Sequence, residues 1–432
     1  MKLNWFSPLP PTKTDIAGYT VRILPALRNY AEIVLWTDQV SWSSELQYYA
    51  DIRSYQLDKM PWTDINQADL NIYNIGNNSL IHSNIWQISC QCPGLVVLHD
   101  FHLHDFFAGL YKNQLCDPHN YLSQMRRYYG CEGEKAAELF WNGALTSEFM
   151  AEHYPLTLLA VENAVGFITH NQEFYNSFKE KNRWFVGYAP LPYTSQFNLL
   201  KRDKVSNKPP YKLVIFGHIG TNRRVDVFLE ALSQLSNKND FRLNIYGQLW
   251  DATYIRQRIQ ELGLESLVTI QGFVEEIELD TALANSHLAI NLRYPTMGEA
   301  SGSQLRIWSH SLPSIVTQVG WYAQLPENTV AFVRPKHEIE DIQKHLQSFL
   351  ANPQQWVEMG RNGRRVLEQQ HTPEAYAQAI VNFAKKAQSF RRCLQAYKLV
   401  ERVGENISLW SSSELSDTEI RRVAEAIHFI SL

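Results

Sequence analysis

The 432-residue chain lacks several patterns that are typical of well-known protein classes. No hydrophobic run approaches the roughly 18 residues that favour a membrane-spanning helix, and the N-terminus lacks the apolar stretch of a signal peptide. Neither Gly-x-Ser-x-Gly nor Gly-Lys-Ser/Thr occurs, which disfavours an esterase elbow and a Walker-type nucleotide loop. The sequence therefore favours a cytoplasmic protein with at most peripheral membrane contact.

The cysteine content and the net charge of the chain are also low. The five cysteines are too few and too irregularly spaced for a disulfide framework or a zinc site. They fit a reducing compartment. The formal net charge is −4, which gives no indication of a nucleic-acid partner.

The chain does contain a clear alternation of strand and helix patterns in its second half. Short apolar runs predict strands over 211–217, 241–247, 267–273, 287–294, 313–319 and 330–333. Between them, apolar residues recur at three- and four-residue spacing, which predicts helices. Nearly continuous apolar strands that alternate with helices indicate a parallel sheet covered on both faces.

The first half repeats this alternation less regularly, with strands predicted over 3–6, 32–37, 70–75, 95–98, 166–169 and 184–186. We therefore predict two doubly wound α/β domains, which face each other across a cleft. Their expected bounds are 1–200, a charged and Pro-terminated linker at 201–210, a second domain at 211–385 and a helical segment at 386–432. A capping box at 416–419 predicts a helix start in that last segment.

Two loops in the second half follow predicted strands and open helices, so both lie where ligands bind in such folds. The first runs from Gly217 and His218 to Arg223 and Arg224. Small residues, a helix N-terminus and two guanidinium groups suit a phosphate. A plain helix cap with solvated arginines is the alternative.

The second loop contains Glu299 and the short run Ser301, Gly302 and Ser303. Backbone N–H groups in this run suit a phosphate or sugar oxygen, and the carboxylate suits sugar hydroxyl groups. A surface carboxylate that caps the helix is the alternative here.

Together with the segment from Ser7 to Tyr19, and with Leu312-Pro313 and Gly320-Trp321, these loops resemble the GT4 family of retaining glycosyltransferases with the GT-B fold. The resemblance implies a nucleotide-diphosphate sugar bound mainly by the second domain and an acceptor bound against the first. It also implies that the sugar is transferred with retention of its anomeric configuration, while the nucleoside diphosphate leaves.

The resemblance assigns roles to residues that match the family pattern. His99 and Glu299 are implied to lie at the transferred sugar. The implied donor-binding residues are Gly217, His218, Arg223, Arg224, Ser301, Gly302, Ser303 and Arg306. Lys13, Asp15 and Tyr19 are expected on the acceptor side.

The chain departs from the family pattern at several positions. The family's second glutamate is absent, and its place falls at Arg306 or Ile307. Asp15 replaces a glycine, His218 replaces a basic residue, and Gln324 stands where a later glutamate is usual. These changes affect the expected ribose contacts and donor selectivity.

We expect no metal site and no cofactor. The residues His99, Asp100, His102, His104 and Asp105 form a cluster by type, but His99 ends a strand and the others begin a new element. No Asp-x-Asp occurs, and arginines with helix dipoles can replace a cation.

The expected substrate is a UDP-sugar, with glucose as the sugar, and the acceptor is a glycan, a glycolipid or a small molecule, as in exopolysaccharide synthesis. A nucleotide-sugar epimerase and a non-catalytic nucleotide-sugar binding protein remain the alternatives.

Overall fold

The computed structural model describes residues 1–180, 185–194 and 208–410, together with Arg421, Arg422 and Glu425. Within them the chain forms two parallel sheets with helices on both faces. This confirms the prediction of two doubly wound α/β domains. Most of the predicted linker at 201–210 and the predicted helix start at 416–419 lie outside the described residues.

Most strands of the N-terminal domain are buried and largely apolar, as a sheet covered on both faces requires. They are β1 (Lys2–Phe6), β2 (Glu32–Thr37), β3 (Asp51–Ser54), β4 (Leu70–Ile75), β5 (Leu95–Leu98), β6 (Gly166–Thr169) and β7 (Phe185–Tyr188). They form a seven-stranded sheet in the order β3-β2-β1-β4-β5-β6-β7. The sequence did not predict β3, because this short edge strand has a polar, half-exposed sequence.

Helices connect these strands on both faces of the sheet. They are α1 (Asp15–Leu27), α2 (Trp62–Ile65), α3 (Ser79–Gln91), α4 (His104–Lys112), α5 (Pro118–Trp141), α6 (Ser147–His153), α7 (Thr157–Val161) and α8 (Gln172–Lys179). The Thr14 hydroxyl caps α1 by accepting a hydrogen bond from Ala17 N at 2.9 Å. Four of these helices, α4 to α7, form one long connection between β5 and β6.

The strands of the C-terminal domain are β8 (Tyr211–Phe216), β9 (Phe241–Tyr246), β10 (Val268–Gly272), β11 (Leu288–Asn291), β12 (Ser314–Thr317) and β13 (Ala331–Val333). They form a six-stranded sheet in the order β10-β9-β8-β11-β12-β13. The accompanying helices are α9 (Val225–Ser233), α10 (Ala252–Glu261), α11 (Glu276–Ala284), α12 (Gly302–Ser309), α13 (Glu338–Ala351), α14 (Pro353–Gln370) and α15 (Pro373–Trp410).

The long helix α15 returns to the N-terminal domain. Its buried residues Tyr376, Ile380 and Ala384 share a hydrophobic core with β1 and α1. The chain therefore packs on the N-terminal domain from about residue 373 onward, whereas the sequence analysis ended the C-terminal domain at residue 385. The sequence pattern did not show this because an apolar helix face has the same periodicity whichever sheet it covers. None of the helices that the structure describes has the length and apolar character needed to cross a bilayer.

The two domains are joined at a hinge and meet across a cleft. At the hinge, Tyr193 N donates to His371 O at 2.8 Å, and His371 Nδ1 lies 2.7 Å from Leu191 O. Across the cleft, the backbone N–H groups of Phe101 and His102 donate to Met297 O at 3.0 and 2.9 Å. The segment after β5 therefore faces the segment after β11, and the carboxyl ends of both sheets border one cleft.

Candidate active site

The loop after β8 is shaped by glycines in the left-handed region of backbone conformation. Gly217 has φ +107° and Gly247, after the neighbouring β9, has φ +115°. A Cβ on Gly247 would stand 2.0 Å from Gly217 O, so that position excludes a side chain. The ends of β8 and β9 therefore lie close together. The space around Gly217 is open on its other side, because a Cβ there would have no neighbour closer than 3.7 Å, and a ligand can approach the backbone after β8.

Arg223 lies beneath this loop with only 3% of its surface exposed. Its Nη1 donates to Asn291 Oδ1 at 2.8 Å and its Nη2 donates to Phe216 O at 2.7 Å. Burial, and then the nearby Arg293, lower the pKa of Arg223 to about 10, so it remains a cation at neutral pH. The guanidinium is therefore a fixed positive charge at the ends of β8 and β11.

Arg224 points elsewhere, although the sequence grouped it with Arg223. Its guanidinium binds the carboxylate of Glu338 on α13, with both Glu338 oxygens 3.1 Å from Nε. Glu338 is buried, and this hydrogen-bonded ion pair raises the pKa of Arg224. Arg224 thus stabilises the packing of α13 against the loop, and its charge is already balanced.

The N-terminus of α12 lies beside Gly217 and Arg223. The Ser301 hydroxyl caps the helix by accepting from Gln304 N at 3.1 Å. Ser303 Oγ lies 3.7 Å, and Arg223 Nη2 3.8 Å, from where a Cβ on Gly217 would stand. The first N–H groups of α12, at Gly302 and Ser303, have no acceptor within the helix. A glycine backbone, a guanidinium and a helix N-terminus therefore converge, which favours an anion.

Glu299 is the carboxylate nearest this convergence in the loop before α12. Glu299 Oε2 accepts from Met297 N at 2.8 Å and from the Thr296 hydroxyl at 3.0 Å. Its Oε1 lies 3.0 Å from Arg293 Nε. Since a carboxylate has about four acceptor positions, Glu299 is fixed in place and can still accept a hydrogen bond from a ligand.

Two further charged residues lie with this group, although the sequence analysis gave Arg293 no role and considered Asp100 only for a metal cluster. Arg293 follows β11. Asp100 follows β5, and its Oδ2 accepts from Asn77 N at 2.8 Å. Burial, and then the charge of Glu299 across the cleft, raise the pKa of Asp100 to about 7. The position of each at a strand's carboxyl end was the available signal.

The Asp100→Asn substitution is expected to remove a pH dependence of stability. The Asp100 pKa rises from its usual 3.8 to about 7 on folding. Between these values the folded state holds a proton that the unfolded state has lost, so raising the pH destabilises the fold. From pH 5 to pH 8 the variant should gain about 2–3 kcal/mol relative to the wild type.

Urea unfolding at both pH values checks this expectation. The exposed Asp58→Asn substitution is the control and should show no such gain. An Asp100→Asn stability that changes with pH in parallel with the wild type would contradict the environment described for this carboxyl.

The half-buried His99 and the buried Tyr19 lie in a polar cluster at the end of β5. His99 Nε2 is 3.1 Å from Asn74 Oδ1, and its ring packs edge-on against Tyr19 at 4.7 Å. Burial, and then the neighbouring His170, hold the pKa of His99 well below its usual range, so its ring is neutral. The Tyr19 hydroxyl is 2.6 Å from the Tyr376 hydroxyl. Tyr19 therefore joins α1 to α15, which leaves it unsuited to an acceptor contact.

The other histidines of the segment 99–105, which form a cluster only by residue type, do not converge with His99. His104 is fully buried, and its Nε2 lies 2.7 Å from the Tyr121 hydroxyl. His102 packs against Phe174 beside the loop after β11. Among the described residues, no group of three or more His, Cys, Asp and Glu side chains is placed to hold a metal ion.

Lys13, Asp15 and His218 are exposed. The Lys13 ammonium lies 4.3 Å from the centre of the Phe273 ring, so the loop before α1 contacts the segment after β10 in the other domain. The charge of Asp15 acts on both Asp100 and Arg223.

Arg306, one of the two residues at which the place of the family's second glutamate falls, is engaged in an ion-pair network. Its Nη2 lies 2.9 Å from Asp280, and its Nη1 lies 2.7 Å from Glu276 Oε2. Arg306 is buried, whereas Glu276 is exposed at the start of α11. The network joins α12 to α11. Its solvent-exposed residue is Glu276, whereas Arg306 and Asp280 are buried.

The sequence of the C-terminal domain matches a known family. Residues 196–366 match the family model described as glycosyl transferases group 1. This range contains both loops of the site. No curated protein sequence matches the chain.

Solved structures with the same fold cover almost the whole chain. Anabaena HepE in complex with UDP and glucose is 14% identical, covers 89% of this chain and 100% of its own, and superposes with a TM-score of 0.59. WaaG, a glycosyltransferase involved in lipopolysaccharide biosynthesis, is 13% identical, with coverage of 89% and 99% and a TM-score of 0.56. Sucrose-phosphate synthase from Thermosynechococcus elongatus is 15% identical, covers 89% of this chain and 98% of its own, and superposes with a TM-score of 0.57.

At these identities the structural likeness shows the fold, and it confirms the GT-B prediction. The family match confirms the prediction of a glycosyltransferase enzyme.

Proposed function

We propose that this enzyme transfers glucose from UDP-glucose to a glycan or glycolipid acceptor, with retention of anomeric configuration and without a metal ion. The observation that carries the proposal is the convergence of Arg223, Gly217 and the N-terminus of α12 at one edge of the cleft. HepE, with the same fold, was solved with UDP and glucose. WaaG, also of this fold, is involved in lipopolysaccharide biosynthesis, which supports a glycolipid or glycan as the acceptor class.

The donor diphosphate is proposed to lie against the loop after β8, where Arg223 and the first N–H groups of α12 bind its oxygens. Negative charge grows on the diphosphate as the bond to the sugar breaks. A buried guanidinium and a helix N-terminus stabilise that charge without reorganising, because the fold already fixes both.

The donor sugar is proposed to lie between Glu299 and the segment after β5. Glu299 is fixed by Arg293 and by Met297 N, so it can accept a sugar hydroxyl group at a defined position. His99 supplies a neutral polar wall at the base of the cleft. Closure of the domains around the donor excludes water and so limits hydrolysis.

Retention follows if the acceptor hydroxyl attacks from the side on which the diphosphate departs. The departing phosphate oxygen then takes the acceptor's proton. A nucleophilic carboxylate on the opposite side would have to be ionised, whereas burial raises the pKa of Asp100 to about 7. A carboxyl group with that pKa is only partly ionised at neutral pH, so Asp100 is less suited to act as a nucleophile than an ordinary carboxylate.

A nucleotide-sugar epimerase is the second candidate, because Asp100 adds a carboxyl group that can exchange protons beside Glu299. The two functions differ in their need for an acceptor. An epimerase converts the donor sugar when no acceptor is present, whereas a transferase gives only slow hydrolysis. A binding protein would show neither reaction.

Metal removal is expected to leave activity unchanged. The positive charge at the proposed diphosphate site comes from Arg223 and the N-terminus of α12, and the sequence contains no Asp-x-Asp. Donor turnover in the presence of EDTA should therefore match turnover without it. Complete loss with EDTA, restored by Mg²⁺ or Mn²⁺, would contradict metal independence.

A panel of nucleotide sugars tests the proposed donor. Thermal stabilisation and donor hydrolysis are measured with UDP-glucose, UDP-galactose, UDP-N-acetylglucosamine, GDP-mannose and ADP-glucose. We expect the largest effects with UDP-glucose. A larger effect with a GDP- or ADP-sugar would overturn the nucleotide, and conversion of the sugar without an acceptor would favour the epimerase. We also propose that the reaction takes place in the cytoplasm.

A further inference from the structure

A second pocket lies between the domains, beside the hinge. It has a volume of about 500 Å³, within the range of small-molecule sites. The N-terminal domain contributes one wall of the pocket, from α8 and the end of β7. The C-terminal domain contributes the other, from the segment after β12 and the end of α14. The residues that matter below are Glu173, Asn176, Tyr188, Trp321, Gln324 and His371.

The chemistry of the pocket suits a neutral polyhydroxyl ligand. Of the described residues that line it, none is a lysine or an arginine and Glu173 is acidic, so these residues favour a neutral ligand over a phosphate or a sulfate. It combines aromatic surfaces at Tyr188 and Trp321 with a carboxylate at Glu173 and amides at Asn176 and Gln324. Amides and carboxylates satisfy hydroxyl groups, and aromatic faces cover the apolar faces of sugar rings.

His371 adds a hydrogen-bond acceptor. Its Nδ1 is 2.7 Å from Leu191 O, and a carbonyl oxygen can only accept, so the Nδ1 position carries the proton. Burial lowers the pKa of His371, which leaves the ring neutral. Its Nε2 therefore carries no proton and can only accept, in a ring that lines the pocket and whose orientation is fixed by the backbone of Leu191.

The pocket is connected to the reaction cleft through α8. On the pocket side, Gln324 Nε2 donates to Asn171 Oδ1 at 3.1 Å, and Asn171 caps α8. On the cleft side, Phe174 of the same helix stacks on Phe101 with ring centres 3.5 Å apart. A Cβ on Gly298, next to Glu299, would stand 2.6 Å from both of these side chains. One helix thus borders both sites.

We propose that this pocket is a second saccharide-binding site, which binds a neutral segment of the acceptor glycan outside the reaction cleft. Because its walls come from both domains, a bound glycan would hold them together next to the hinge. The choice of an acceptor glycan as the occupant rests on the proposed function, whereas the preference for a neutral saccharide rests on the pocket itself.

The test is binding of the full-length protein, saturated with UDP, to an array of neutral and anionic glycans, followed by calorimetry with the best neutral one. Asn176→Trp fills the pocket from an exposed position of α8, and Glu173→Gln removes its carboxylate at constant size. Ser177→Trp is the matched control, because Ser177 is also exposed on α8 but does not line the pocket.

We expect retention of at least one neutral glycan. Asn176→Trp and Glu173→Gln should each weaken it by about tenfold or more, and Ser177→Trp should leave it within about twofold, a change worth under 0.5 kcal/mol. Retention of anionic glycans alone would overturn the proposal, as would no retention at all or equal binding by the wild type and both pocket variants. Hydrolysis of UDP-glucose by the wild type, measured without any glycan, tests the proposed function separately.

Discussion

Arg223→Ala is expected to lower donor turnover by about 100- to 1000-fold, the range seen when one fixed donor to a developing oxyanion is removed. Arg223 is a buried cation beside Gly217 and the start of α12, so its loss would remove the main charge partner of the diphosphate in the proposed donor site. Affinity for UDP should fall by about tenfold to a hundredfold. Calorimetry with UDP and steady-state turnover of UDP-glucose measure the two effects.

Arg224 supplies the matched control for this experiment. Its charge is balanced by Glu338, so removing the pair should affect stability and not donor binding. The double substitution Arg224→Gln with Glu338→Gln avoids leaving one buried charge unpaired. Its UDP affinity should stay within about threefold of the wild type, or about 0.65 kcal/mol.

Loss of packing must be separated from loss of the charge at position 223. Arg223 also donates to Asn291 and to Phe216 O, so Arg223→Lys is included as a variant that keeps the charge. Lysine should retain part of the UDP affinity but lose the forked geometry. Unchanged UDP affinity in a folded Arg223→Ala protein would remove Arg223 from the donor site.

Glu299→Gln is expected to separate binding of the nucleotide from binding of the sugar. The amide keeps the size of the side chain and can still accept from Met297 N, but it loses the charge that faces Arg293. UDP affinity should be unchanged. Turnover of UDP-glucose should fall by about tenfold to a hundredfold, which corresponds to one charge-assisted hydrogen bond of about 1.5–3 kcal/mol.

The exposed Glu327→Gln substitution is the control for a change of charge alone. It should alter neither quantity. A Glu299→Gln enzyme with wild-type turnover would remove Glu299 from the site, and an equal loss of affinity for UDP and UDP-glucose would place it at the nucleotide.

The sequence predicted most of the fold because buried parallel strands leave continuous apolar runs. It missed β3, whose residues Asp51–Ser54 are polar and lie at the sheet edge. It also divided the chain at 385, while α15 packs on the N-terminal domain from Tyr376 onward. Both differences depend on which surfaces meet, and a local pattern does not contain that information.

The candidate site was predictable in its loops but not in the directions of its side chains. Arg223 and Arg224 are adjacent, yet one lies under the glycine loop and the other binds Glu338, because Arg224 has a left-handed backbone with φ +54°. Asp100 was noticed only as part of a possible metal cluster. The electrostatic interaction between Asp100 and Glu299 arises because the segments after β5 and β11 meet across the cleft.

Proton NMR of the product formed from UDP-glucose tests the proposed reaction most directly. The glucose in this donor is α-linked, and attack from the side of the departing diphosphate gives an α-linked product. We predict an α-anomeric signal that grows as UDP is released and only when an acceptor is present. A β-anomeric product would contradict the retaining mechanism, and an altered sugar still attached to UDP would show that the enzyme is an epimerase.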